Sequence, residues 1–157
     1  MGKRGVMAKR REIDIRAETA ATPETVFALL ADSTTWPAWS TIESVTREHD
    51  GTPPPEGPGA IRVNKRGRVT GRDEVVEVVP NRRFVYRSLS GLPVRDYVGQ
   101  VDLEPTVTGT SIRWQSSFFP KIPGTGRILE RGIRTFLMEC ASGLAKYAAT
   151  HPARKAG

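Results

Sequence analysis

Apolar and charged residues alternate from position 12 to 18 (Glu12, Ile13, Asp14, Ile15, Arg16, Ala17, Glu18), the period-two signature of a strand with one wet and one buried face. Thr22 before Pro23 and Glu24 predicts a helix start, with Thr22 as cap and proline in the first turn. Val26, Phe27, Leu29 and Leu30 are its apolar face, and Asp32 and Ser33 end it. The segment Trp36-Pro37-Ala38-Trp39 suits a second, one-turn helix with both indoles on one side. From there the period changes. Short β-type runs predict six more strands, at 42–49, 59–66, 69–79, 83–90, 96–104 and 110–119, separated by runs rich in glycine and proline. Residues 125–149 predict one long helix, in which Leu129, Ile133, Phe136, Leu137, Cys140, Leu144 and Tyr147 recur at three- and four-residue steps and must be buried.

One strand, a helical corner, six strands and a long amphipathic helix give an α+β helix-grip fold: a seven-stranded antiparallel sheet curled around the C-terminal helix, with two short helices after strand 1. The expected organisation is a flexible basic tail over 1–10, one ligand-binding domain over 11–150 and a second tail over 151–157. Seven twisted strands offer more inner surface than one helix covers, and the remainder becomes packed side chains or a cavity. Ile112, Trp114, Ser116 and Phe118 share one face of the last strand; Tyr97, Gly99, Val101 and Leu103 share one face of its neighbour; Phe84 and Tyr86 join them from the strand before. Large aromatics mixed with serine and glycine suit a pocket, although the same residues taken singly read equally well as core.

Charge alters the picture less than its size suggests. The formal net charge of +7 comes from Lys3, Arg4, Lys9, Arg10, Arg11, Arg154 and Lys155, which leaves 17 basic against 17 acidic residues between positions 12 and 153. A phosphate-tracking groove would put its excess on the folded body, so no nucleic-acid partner is expected. The lone Cys140 cannot form an internal disulfide, and with no secretory apolar run or membrane-spanning stretch a cytoplasmic setting is expected. Met1 and Met7 both stand as candidate starts.

The stretch Thr22-Pro23-Glu24-Thr25-Val26-Phe27 with Asp32, the corner Trp36-Pro37-Ala38-Trp39-Ser40, the run Val78-Val79-Pro80-Asn81-Arg82-Arg83-Phe84, the run Gly109-Thr110-Ser111-Ile112-Arg113-Trp114 and the closing helix resemble the polyketide cyclase/dehydrase-like branch of the START/Bet v 1-like (SRPBCC) superfamily over about residues 10 to 150. The resemblance implies a hydrophobic tunnel between sheet and C-terminal helix, which different members use for lipids, polyketides, plant hormones or aromatic intermediates. Some members cyclise or dehydrate; many only bind. No catalytic residue carries over by motif.

The residues themselves narrow the chemistry. His49 and His151 are the only histidines, too few and too separate for a metal cluster, and no metal or cofactor is expected. Gly124-Thr125-Gly126-Arg127 lacks the ending of a phosphate-binding loop and reads as a turn plus helix start. Lys65, Arg66 and Arg68 around Gly67 read as a charged edge turn or a contact for an anionic headgroup. Proton transfer inside a cavity would fall to Tyr97 or Tyr86, with Arg95 and Asp96 near the strand entrance as a solvated pair or an anchor for a ligand carboxylate. The expected ligand-binding set is Trp36, Trp39, Tyr86, Tyr97, Trp114, Ser116, Phe118, Ile133, Phe136, Leu137 and Cys140. Two functions follow: a carrier or sensor holding a small hydrophobic or aromatic metabolite, or a cyclase/dehydratase using the same cavity.

Overall fold

Thr22 accepts a hydrogen bond from the Thr25 backbone N–H at 3.2 Å and so opens helix α1, Pro23–Ala31, as its cap. The structure, a computed structural model, describes residues 9–152. Lys3, Arg4, Arg154 and Lys155 of the expected tails lie outside the described residues. Strand β1, Arg11–Thr19, precedes α1; a 3-10 turn at Ser33–Thr35 and the short helix α2, Trp36–Trp39, follow it. Six strands come next: β2 (Ser44–His49), β3 (Ile61–Arg66), β4 (Val69–Val79), β5 (Arg83–Ser90), β6 (Val94–Thr106) and β7 (Gly109–Pro120). Helix α3, Gly126–Thr150, closes the fold.

The sheet has seven strands in the order β1-β7-β6-β5-β4-β3-β2, with every neighbouring pair antiparallel. The strands consecutive in sequence from β2 to β7 form a meander, and β1 adds to its far end beside β7. The α1–α2 corner therefore carries the chain from one edge of the sheet to the other. Register shifts between Val75 and Glu77 on β4 and between Arg95 and Val98 on β6 add an extra residue to one strand, and such bulges sharpen the local bend of a sheet.

Arg11, at the expected start of the domain, opens β1 and pairs with Glu130 of α3 at 3.0 Å, while Arg10 just before it donates to Ser117 Oγ at 2.7 Å. The strand expected from residue 42 starts at Ser44, because Ile42 is buried in the corner and Ile42 N–H bonds to Ser40 Oγ instead of joining the ladder. The core lies between the concave face of the sheet and α3, with Leu30, Phe84, Trp114, Phe118, Leu137 and Leu144 fully enclosed.

Candidate functional site

Helix α3 packs chiefly on β1 and β7, so its first half leaves the inner faces of β3 to β6 partly uncovered. A cavity of about 290 Å3 occupies that space. Its helical wall is Ile128, Leu129, Gly132, Ile133 and Phe136, a set spaced by one, three and four residues as one helix face requires. Its sheet wall follows the period of two on β3 (Asn64 and Arg66) and β5 (Tyr86, Ser88 and Ser90), while β4 contributes Gly71, Arg72 and Asp73 in succession at its register shift. Tyr97 on β6 completes it, and Trp36 and Ile42 from the corner close one end. Val69 and Leu92 stand where the cavity opens, both partly exposed.

Polar tips gather on the sheet side. Asp73 Oδ1 accepts from Arg62 Nε at 2.8 Å and its Oδ2 from Asn64 Nδ2 at 3.1 Å. Trp114 Nε1–H donates to Tyr86 Oη at 3.0 Å, and the Tyr97 and Ser116 hydroxyls share a hydrogen bond of 2.7 Å. Burial pushes the Tyr86 phenol well above its ordinary range and the Tyr97 phenol from 10.0 to about 12, the latter against the opposing pull of its Ser116 hydrogen bond. Both phenols are protonated at neutral pH, so they serve as hydrogen-bond partners and not as bases. Tyr86 accepts from Trp114, and its hydroxyl also hydrogen-bonds with that of Tyr97.

Of the expected ligand-binding residues, Trp36, Tyr86, Tyr97, Ile133 and Phe136 stand on the cavity wall. The other six stand behind it. Trp39 packs on Trp36 at 4.7 Å between ring centroids and on Trp114 at 6.3 Å. Trp114 is wholly buried and orients Tyr86; Ser116 orients Tyr97, on whose ring Phe118 stacks at 6.1 Å. Leu137 and Cys140 lie further along the α3 stripe inside the core, where burial pushes the thiol up to about 12 and keeps it neutral. Arg95 and Asp96 form no ion pair with each other and both are exposed, with Asp96 at φ 52 inside the register shift of β6.

Sequence reasoning missed Asn64, Asp73, Ser88, Ser90 and Gly132. A signal was present in β5, where Tyr86, Ser88 and Ser90 repeat every second residue on the face that Phe84 starts. Beside the sheet wall, on the same inner face, lies a charged cluster that no pattern announced. Arg62 is buried beside Asp73 and within 3.8 Å of Glu56, its guanidinium lying over the rings of Trp36 (5.1 Å) and Phe84 (5.3 Å). A larger hollow of about 500 Å3 lies on the outer face of the sheet. Arg83–Asp102 (2.7 Å) and Arg113–Asp14 (2.8 Å) lie across strands there, and no helix covers it. Among the described residues no helix is long and apolar enough to cross a membrane.

The sequence profile of the family described as polyketide cyclase / dehydrase and lipid transport matches residues 10–149. An uncharacterised protein of Mycobacterium tuberculosis is 37% identical over 71 residues, which are 45% of this chain and 41% of that protein. The match thus spans about two fifths of that relative's length. Among solved structures, the Zhui aromatase/cyclase from Streptomyces sp. R1128 superposes with a TM-score of 0.78 at 16% identity, over 95% of this chain and 99% of that one. A START superfamily protein from Mycobacterium smegmatis gives 0.76 at 14% identity, over 88% and 97%. Norcoclaurine synthase from Thalictrum flavum, solved with dopamine and hydroxybenzaldehyde, gives 0.74 at 18% identity, over 98% and 97%. At these identities the likeness is one of fold.

Proposed function

The chain belongs to the polyketide cyclase / dehydrase and lipid transport family, and from that premise we propose that it binds a small hydrophobic or aromatic metabolite in the cavity under α3, as a carrier or sensor. One observation carries the reading. The cavity joins a helical wall of Ile128, Leu129, Ile133 and Phe136 to a sheet wall tipped by Asp73, Asn64, Tyr86 and Tyr97. Apolar walls with a few convergent polar groups are the usual form of a ligand site, and about 290 Å3 lies near the lower end of the roughly 300–1,000 Å3 such sites occupy. Affinity would come from apolar burial at about 25 cal/mol per Å2, and orientation from the polar tips. A ligand hydroxyl can donate to Asp73, and a ligand carbonyl can accept from Tyr86. A cytoplasmic setting belongs to the same proposal, supported by the single, buried, unpaired Cys140.

The test plugs the cavity without touching the core. A Cβ built on Gly132 meets nothing within 4 Å, and the residue sits on the cavity wall. Gly132→Leu is expected to fold with unchanged or raised thermal stability and to abolish saturable binding of an environment-sensitive apolar dye. Wild-type protein that shows no saturable dye binding, and no co-purified small molecule by native mass spectrometry, would defeat the proposal.

A second reading, a cyclase or dehydratase on a poly-β-carbonyl chain, is favoured by the protonated Tyr86 and Tyr97 phenols on the wall. They would polarise a carbonyl by donating a hydrogen bond in a dry site. Tyr86→Phe then abolishes turnover of such a chain, whereas a carrier keeps its ligand affinity within a few-fold.

A further inference from the structure

Three elements meet where the cavity opens. Val69 comes from the β3–β4 hairpin, Leu92 from the β5–β6 hairpin and Ile128 from the first turn of α3; they are 45%, 38% and 77% exposed. The Lys121 N–H bonds to Pro93 O at 3.0 Å, which brings the loop holding Ile122, itself 54% exposed, against the β5–β6 hairpin. Four large apolar side chains from separate segments thus share one end of the molecule. Scattered exposed hydrophobes need no explanation, but a cluster around an opening does.

Charge says what would cover it. Segments 65–69, 91–96 and 121–131 carry Lys65, Arg66, Arg68, Arg95, Lys121, Arg127 and Arg131 against only Asp96 and Glu130, whereas residues 12–153 taken together balance at 17 and 17. The remainder of the domain is therefore acidic, and the opening is its basic pole. Glu130 is already held by Arg11 (3.0 Å) and Arg134 (3.3 Å), and Glu43 Oε1 accepts from Gly67 N–H at 3.1 Å. Arg68, Arg127 and Arg131 take part in no ion pair among the described residues.

We propose that this rim is a docking surface for an anionic lipid bilayer, with the apolar tips entering the headgroup layer and the arginines meeting lipid phosphates. Apolar tips beside basic residues are the combination that interfacial binding requires. A second copy of this chain is a poor occupant, because pairing rim to rim sets like charges against each other. The surface goes beyond the ligand reading and does not depend on what fills the cavity.

The experiment is co-sedimentation of the full chain with vesicles of phosphatidylcholine alone and of phosphatidylcholine mixed with phosphatidylglycerol, with the apolar-dye titration run in parallel. Binding to the phosphatidylglycerol vesicles, weakened by added salt, is expected. The double variant Arg68→Glu/Arg131→Glu is expected to lower that binding roughly ten-fold or more, and Ile122→Ser to lower it several-fold, with thermal melts and dye binding unchanged. No preference for the anionic vesicles overturns the proposal. So does binding that survives both variants, which would assign it to the basic residues among positions 1–8 and 153–157. Vesicle binding without dye binding would remove the cavity reading and leave the docking surface standing; dye binding without vesicle binding would do the reverse.

Discussion

Tyr86 and Gly99 face each other across β5 and β6, and a Cβ built on Gly99 would fall on the Tyr86 ring. The glycine is the space the tyrosine uses. Gly99→Ala is therefore expected to cost about 1–3 kcal/mol, the range for overpacking, and to pull Tyr86 from its hydrogen bond with Trp114. Urea unfolding would read the first effect and tryptophan fluorescence the second; an unshifted midpoint with unchanged emission would contradict the geometry. Tyr97 adds a pH dependence. Its folded pKa of about 12 exceeds the ordinary 10.0, so the protonated phenol is favoured by folding. That contribution is complete below pH 10 and is lost as pH rises from 10 towards 12. Stability should fall over that window in wild type and fall less steeply in Tyr97→Phe, as followed by tyrosinate absorbance and thermal melts. At this scale the aromatics of β5 to β7 were legible because alternation places them on one face. Strand β3 was not. Its apolar residues Ile61 and Val63 would be read as the inward ones, yet the structure buries Arg62 between them, since carboxylates and two aromatic rings await it there.

The α3 stripe was readable as a buried face, because no other element could cover it. Which part of it faces space and which faces core was not readable, since that depends on where the sheet curls away. Two glycines on α3 separate these parts. At Gly143 an added Cβ would meet the Trp39 carbonyl oxygen, so this is where α3 lies hard against α2. At Gly132 it would meet nothing. Gly132→Ala should stabilise the protein by about 0.5–1 kcal/mol, the ordinary gain inside an exposed helix turn. Gly143→Ala should destabilise it, because a backbone carbonyl cannot swing aside as a side chain can, and helix and corner would have to separate. The opposite signs of the two shifts in melting temperature are the check; equal signs would mean that α3 does not sit on the corner as described. Phe136 belongs to the open part: it is only half-buried on the cavity wall, with the Arg66 guanidinium 4.6 Å from its ring centre.

Across the whole molecule, the cavity exists because the sheet is wide and α3 covers chiefly its β1–β7 side, and something must hold the uncovered side in shape. The buried charges do this. Glu56, carried on the proline-rich loop before β3, accepts from the Ser33 backbone N–H at 3.0 and 3.1 Å and from Ser33 Oγ at 2.9 Å, so it fastens that loop to the corner. It also faces Arg47 of β2 at 3.5 Å and Arg62 of β3 at 3.8 Å, while Arg62 bonds Asp73 of β4 at 2.8 Å. Five segments thus meet in one cluster around Glu56 and Arg62, and among the described residues the Arg62 Nη1, in contact range of Glu56, has no hydrogen-bond partner. Charge patterning could not reveal this, because the partners are set by the return of the loop and not by local spacing. Removing one partner of a buried pair leaves the other charge uncompensated, at about 3–5 kcal/mol, whereas removing the set together can be near neutral. Arg62→Met alone should therefore lower the urea midpoint far more than Arg62→Met combined with Glu56→Gln and Asp73→Asn. If the single variant unfolds at the wild-type midpoint, the cluster is not what holds the cavity's far wall. If the triple variant is as unstable as the single one, the stabilisation lies in the Ser33–Glu56 contacts and in the stacking of Arg62 on Trp36 and Phe84, and not in the pairing of charge.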